Sequence, residues 1–402
     1  MDQQQADWLA LYTEEPVDPA QEICDPHHHL WDFPTDRYCL EELRADTGAG
    51  HNIVSTVFIE CTAGYRADGP EAMRPVGETE FVLAQAIESA DTEGSEIKGI
   101  VGLADLTLGA DVAEVLEAHI EAGGGRFKGI RHATAYDPSP DVRRSHTRPT
   151  PGLMGEPSFR GVRPNSVATT CVSTRLYHPQ ITELVDLAHA HSDVLIVLDH
   201  LGGPLGVGPY AGRRDEVRAE WRRSIIQLAE CPNVSVKLGG IGMTVYGLDW
   251  HHQPTPPTSD ALAEAWGPDI EFCIGQFGVR RSMFESNFPS TGDRPATRSC
   301  GTPSEAHRRL LTRRTIGVVP RHRQRLLRPL SGRPGRFTRW LATNRSPSTP
   351  SPRRDASGTV ARSRHRRRWS PPRRSCERIR SCNAPSTRRW PRSTSRSPVT
   401  RP

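Results

Sequence analysis

Apolar, β-branched segments recur through residues 20–289 with amphipathic stretches between them, and this alternation is the dominant pattern in the chain. The apolar runs are Ile23 to His27, Ile53 to Cys61, Ile97 to Leu103, Phe127 to Arg131, a poorly periodic fifth ending at Leu176 to His178, Val194 to His200, Val234 to Leu238, and Ser282 to Glu285. Between them, Glu80 to Ala90, Val112 to Ala122, Ile181 to Ala190, Arg213 to Ala229 and Asp260 to Phe277 place apolar residues three and four apart among helix formers. The pattern predicts an α/β fold, a (β/α)8 TIM barrel over residues 1–289, whose polar strand ends build a site on one rim. An open doubly wound sheet is the alternative. It is disfavoured because no Gly-rich phosphate loop follows an early strand, and Gly123-Gly124-Gly125 precedes a strand instead of opening a helix.

Composition changes the picture beyond Pro289. The net charge of +5 hides 22 Lys plus Arg against 43 Asp plus Glu in residues 1–289, and 30 Arg, no Lys and 4 acids in residues 290–402. The second part, rich in Arg, Pro and Ser, is expected to be a disordered basic tail standing where the last helix of a barrel belongs. If real, it would bind nucleic acid through phosphates. Abundant Arg without Lys points instead to GC-rich DNA read out of frame: shifting the frame from Ser290 onward, and again for His307 to Leu327, permits protein-like and helix-like strings. The same test restores a sensible string for Gly161 to Arg175, so residues 161–175 and 290–402 are expected to be frameshift products. Nine cysteines without C-x-x-C spacing argue for reduced thiols, against a disulfide framework and against a zinc ribbon. No apolar run is long enough to span a bilayer, and residues 1–16 are unlike a signal peptide, so a cytoplasmic protein without membrane partners is expected.

Candidate chemistry sits at the strand ends. Asp25-Pro-His-His-His-Leu-Trp-Asp32 sets His27 and His29 on one face of the first strand, where both can reach one ion, with His28 turned away. The plain alternative is a His-rich surface turn. His200, just after an apolar strand and before Gly202-Gly203, is a third metal-ligand candidate or else a hydrogen-bonded strand-end imidazole. Arg131 and Lys237 are suited to a substrate carboxylate, or to pairing with a structural Asp or Glu. His132, Asp199, Glu285 and Asn287 also lie at strand ends, as do Glu60, Cys61 and His178, which receive no role.

Taken together, Asp25-Pro-His-His-His-Leu-Trp-Asp32, Phe127-Lys-Gly-Ile-Arg-His132, Leu198-Asp-His-Leu-Gly-Gly-Pro204, Val236-Lys-Leu-Gly-Gly240 and Phe284-Glu-Ser-Asn-Phe-Pro289 resemble, in this order, the amidohydrolase-related family of TIM-barrel metal-dependent hydrolases, closest to its lactonase branch. The resemblance implies a divalent metal, Zn²⁺ foremost, on His27, His29 and His200, although some lactonases of the family are thought to work without tightly bound metal. It implies catalytic roles among His200, Asp199, Glu285 and Asn287, and substrate contacts from Arg131, His132 and Lys237. The implied reaction is hydrolysis of a lactone, cyclic ester or amide of a small polar, carboxylated acid. A non-oxidative decarboxylase of the same family is the alternative, and an inactive relic or a basic-tail nucleic-acid binder is the reading if the printed tail is real. A homo-oligomer is allowed. The family's strand-eight Asp is replaced by Asn287, whose neutral amide cannot take a proton from water.

Overall fold

The computed structural model describes residues 8, 11–161 and 171–289, and the basic tail 290–402 with its frameshift and nucleic-acid readings lies outside them. Eight parallel strands follow one another in a single sheet in the order β1 (Ile23–His28), β4 (Ile53–Ile59), β5 (Glu96–Gly102), β6 (Phe127–Arg131), β7 (Cys171–Thr174), β8 (Ile196–Leu198), β9 (Val234–Leu238) and β10 (Ser282–Phe284). A small antiparallel pair, β2 (Trp31–Phe33) with β3 (Asp36–Tyr38), follows β1. Helices Val76–Asp91, Val112–Ala122, Ile181–Ala190, Arg214–Ala229 and Ser259–Phe277 separate the strands, as the periodicity predicts. None of the described helices is long and apolar enough to cross a membrane.

The fifth barrel strand differs from expectation. It is Cys171–Thr174, inside the stretch 161–175, while His178 opens a short 3-10 turn, His178–Gln180. β7 pairs with β6 through Ile130 and Val172 and with β8 through Val172 and Ile196, so the sheet is continuous there. Residues 162–170 lie outside the described residues.

Period-two alternation sorts side chains between the barrel interior and the helix layer. In β9, Val234, Val236 and Leu238 join the main apolar core with Ile196, Leu198 and Val172. The alternate positions Cys171, Ser173, Val197 and Lys237 line the interior with Val57, Ile59 and Val101. Thr258 caps the last helix by accepting the Ala261 amide (3.1 Å), and Gly278, at φ +73°, ends it in a backbone conformation that side chains disfavour.

Closure happens at the rim. The Asn287 amide donates to the His27 carbonyl (2.9 Å) and the His29 amide to the Phe288 carbonyl (2.7 Å). The Asp25 carboxylate accepts from the Ser286 amide and hydroxyl and from the His27 amide, which staples the start of β1 to the segment after β10. Burial pushes the Asp25 carboxyl up to about 6, against the pull of those donors. The bonds that close the barrel therefore also set Glu285 and Asn287 against His27 and His29.

Candidate active site

Three imidazoles meet at the C-terminal rim with their Nδ1 atoms on oxygen acceptors. His27 Nδ1 lies 2.5 Å from Glu285 Oε2, His200 Nδ1 lies 2.6 Å from Glu285 Oε1, and His29 Nδ1 lies 2.7 Å from the Ile59 carbonyl. A carbonyl only accepts, and one carboxylate can accept from two rings, so each ring carries its proton on Nδ1 and leaves Nε2 as a lone pair. Burial first, and then Lys237 beside His27 and Arg131 beside His29, hold both rings well below the usual imidazole range, so they stay neutral, with His27 Nε2 facing Arg131 Nη1 at 3.4 Å. The His27 ring is 4.9 Å from that of His29 and stacks 4.8 Å from that of His200. His28 turns away, as the alternation predicts, and packs edge-on against Phe58.

Two glycines make the convergence possible. A Cβ on Gly240 would lie 2.1 Å from His200 Nδ1, and one on Gly239 would lie 2.2 Å from the Glu285 carbonyl oxygen. His200 itself has φ +54°, with Tyr246 donating its hydroxyl to the His200 carbonyl (3.2 Å).

Arg131 and Lys237 both pair with buried carboxylates. Arg131 donates to Glu60 Oε1 (2.7 Å), to the Glu60 carbonyl (2.5 Å) and to Asp199 Oδ2 (3.4 Å). Lys237 Nζ lies 3.1 Å from Asp199 Oδ1 and 3.6 Å from Glu285 Oε2. Burial works against the charge on Asp199, but Lys237, His200 and Arg131, with the Ser173 hydroxyl (2.8 Å), outweigh it and hold the carboxyl below its ordinary value. His132 is buried close enough to Glu60 and His146 to feel their charge, but it makes no hydrogen bond to the three imidazoles. Its Nδ1 accepts the Leu106 amide (3.1 Å) and its ring meets Phe159 edge-on, because consecutive strand residues face opposite sides.

Sequence reasoning gave no role to Glu60 or Asp25 and did not single out Ser173 or His146. Glu60 had the right position but no visible partner, since Arg131 is 71 residues away. Ser173 falls in a segment without readable periodicity, and His146 lies in a loop, 3.1 Å from Glu60 Oε2.

Asn287 stands beside His29, with Oδ1 drawn 3.2 Å from Nε2 and Nδ2 buried without a partner. A lone pair facing a carbonyl-type oxygen repels, so the amide satisfies both groups only with Nδ2 toward the ring. Its backbone, at φ +62°, is in the left-handed region that Asn tolerates better than most residues.

His27, Asp199 and His200 each offer a ligand atom within 4.8 Å of the others, a group that could hold a metal ion. The donor chemistry fits, since ligating imidazoles usually give their other N–H to a carboxylate or a carbonyl. Acidic charge is present as well, since the carboxylates of Glu60, Asp199 and Glu285 are buried beside the cations of Arg131 and Lys237.

A second acid lies behind the rim. Glu78 is buried, and its Oε1 accepts the amides of Cys61 (2.9 Å) and Ala63 (2.7 Å) while Oε2 has no partner. Burial, followed by the neighbouring Glu60, pushes its carboxyl from 4.5 up to about 8. Between those values the folded protein holds a proton that the unfolded chain has lost, so this contribution to stability is complete at low pH and disappears as pH rises through about 8. Glu78→Gln, neutral at all pH, is expected to flatten the fall of the urea midpoint between pH 5 and 8.5. An unchanged slope would show that Glu78 is ionised in the folded state throughout.

Eight parallel strands that gather imidazoles and carboxylates at one rim have the layout of a TIM-barrel enzyme. The chain belongs to the amidohydrolase family, whose model matches residues 24–299. It is 29% identical over 291 residues to the uncharacterized protein y4mH of Sinorhizobium fredii, covering 66% of this chain and 84% of that one. It is 23% identical over 284 residues to L-fucono-1,5-lactonase of Burkholderia multivorans, covering 66% and 81%. Among solved structures it is similar to a zinc-bound amidohydrolase from Burkholderia multivorans, with a TM-score of 0.52 and 20% identity over 75% of this chain and 94% of that one, a likeness of fold.

Proposed function

We propose that the barrel hydrolyses the lactone of a small polar acid. The observation that carries this reading is Glu285 bridging His27 and His200, which leaves the His200 Nε2 lone pair backed by a buried carboxylate. That is the arrangement of a general base: Nε2 takes a proton from water as it attacks, and Glu285 stabilises the imidazolium through Nδ1. Asp199 is a weaker base, because Lys237 and Arg131 already neutralise it. Asn287 cannot accept the proton, which is why the task falls to His200.

His27 and Asp199, whose ligand atoms lie close together, would hold a divalent ion, and Zn²⁺ suits N/O donors of this kind. Such an ion, when bound, polarises the carbonyl and stabilises the charge that develops on its oxygen. The Tyr65 hydroxyl, buried without a hydrogen-bond partner among the described residues, favours a substrate that carries polar groups. The similarity to a sugar-acid lactonase supports the same substrate class.

The test is to incubate purified protein with sugar-acid 1,4- and 1,5-lactones and δ-valerolactone, following acid release, with metal content measured in parallel. Ring opening that falls at least ~10-fold in His27→Ala and after chelation is expected. Folded protein that opens none of them, or that releases CO2 from aromatic carboxylates instead, would overturn the lactonase reading.

A further inference from the structure

The loop after β6 supplies an imidazole that no barrel strand provides. The Ser145 amide donates to the Ala135 carbonyl (2.9 Å), the Ser145 hydroxyl accepts the Ala135 amide (3.1 Å), and the Thr147 hydroxyl donates to the Ala133 carbonyl. These bonds lace residues 145–147 alongside 133–135 and fix His146 over the end of β4. Its Nε2 lies 3.1 Å from Glu60 Oε2 at ion-pair distance, although the N–H is not aligned as a hydrogen bond.

The side chain of His146 is 30% exposed, while His27, His29 and His200 are buried. Its ring is therefore open to solvent and still touches the buried network. Glu60 is fixed by the Arg131 side chain, its own side chain is fully buried, and Arg131 and His146 hold it ionised against the opposing effect of burial. β1 pairs with β4 on one side and bonds to the residues after β10 on the other. The His146–Glu60 pair and the His200–Glu285 pair thus stand on either side of the strand that carries His27 and His29.

We propose that His146 is the proton donor to the departing ring oxygen in lactone opening, held in place by Glu60. The assignment rests on the hydrolytic reading above. Water adds to the carbonyl carbon and gives a proton to His200 Nε2. The bond between that carbon and the ring oxygen then breaks, and the oxygen takes a proton from Nδ1 of the protonated His146 ring. His146 regains a proton from solvent, His200 releases one, and the balance is one water consumed per ring opened. The carboxylate beside Nε2 gives the ring's positive charge a partner, and the bonds of residues 145 and 147 to 133–135 hold the loop that carries it. Nδ1 makes no hydrogen bond among the described residues, so it is free to serve the substrate. Independently, the hydroxyl of Tyr65, a residue whose charge would be felt by Glu60, is buried without a partner, which points to a polar ligand group at this end of the rim.

The test uses leaving-group ability. Dihydrocoumarin opens to a phenolate, which leaves readily because phenols ionise near ~10, whereas δ-valerolactone opens to a far more basic alkoxide that needs a donated proton. In His146→Asn, the rate on δ-valerolactone is expected to fall ~10²–10⁴-fold, as for loss of a general acid, and the rate on dihydrocoumarin by less than about tenfold. The ratio of the two rates on one preparation is independent of how much protein is folded. A ratio that rises at least ~10-fold in the variant supports the assignment, and an unchanged ratio overturns it while leaving the lactonase reading intact. A wild type that opens neither lactone overturns both.

Discussion

Replacing Glu285 by Gln is expected to lower kcat/KM for lactone hydrolysis about 10³-fold, within the range for disrupting an acid–base pair. The reason is a count of acceptors. The carboxylate accepts from two ring N–H groups, His27 Nδ1 at 2.5 Å and His200 Nδ1 at 2.6 Å, and also from the His200 amide at 3.2 Å. An amide offers one accepting end. Its NH2 end would face the Nδ1–H of the other ring and force that ring into the opposite tautomer, with its proton on Nε2. Either outcome removes one lone pair, from the general base or from a metal-ligand candidate. Steady-state kinetics on the lactone identified by the panel, with folding checked by near-UV circular dichroism, measure the effect. A loss below tenfold in folded protein would mean that Glu285 does not set the tautomers of these rings.

Arg131→Met is expected to lower folding stability by about 3–5 kcal/mol, the usual consequence of removing one partner of a buried ion pair. Methionine is apolar and flexible enough to fill much of the space, so packing is a minor part of the effect. What remains is electrostatic. Glu60 and Asp199 both have fully buried side chains, and the guanidinium supplies donors to both, including the Glu60 backbone carbonyl. Lysine would not substitute, because a single ammonium cannot span these acceptors in the planar arrangement of the guanidinium. Since a domain is typically stable by only ~5–15 kcal/mol, the variant should unfold at far lower urea with a similar dependence on denaturant. A loss under 1 kcal/mol would indicate that Glu60 or Asp199 takes up a proton at little cost. The same experiment separates two functions of an Arg at the rim, because an Arg that only bound substrate would alter KM and leave stability unchanged.

Much of the fold is legible because strand and helix periodicities are local. The runs Ile53 to Cys61 and Val234 to Leu238, and the helix Val112–Ala122, announce themselves within a few residues, and the structure places the elements within a few positions of the expected bounds. The exception is β7, where Cys-Val-Ser-Thr is a strand of four residues next to a segment without periodicity. There neighbouring strands β6 and β8 supply the pairing that local sequence does not advertise. A glycine pair such as Gly239-Gly240 was visible as a motif, but its purpose, making room for His200 and Glu285, belongs to the closed barrel.

The sequence by itself determined the alternation that makes a barrel, the facing of His27 and His29 away from His28, and the list of polar groups at strand ends, because each depends on backbone geometry over two to four residues. The tertiary structure decided which of those groups meet. His27 reaches Glu285 across 258 residues of sequence, Arg131 pairs with Glu60 and Asp199, His132 packs edge-on against Phe159, and His146 arrives from a loop. The pairing of charges is a matter of distance in a low-dielectric interior, and closing the sheet between β1 and the residues after β10 is what sets those distances.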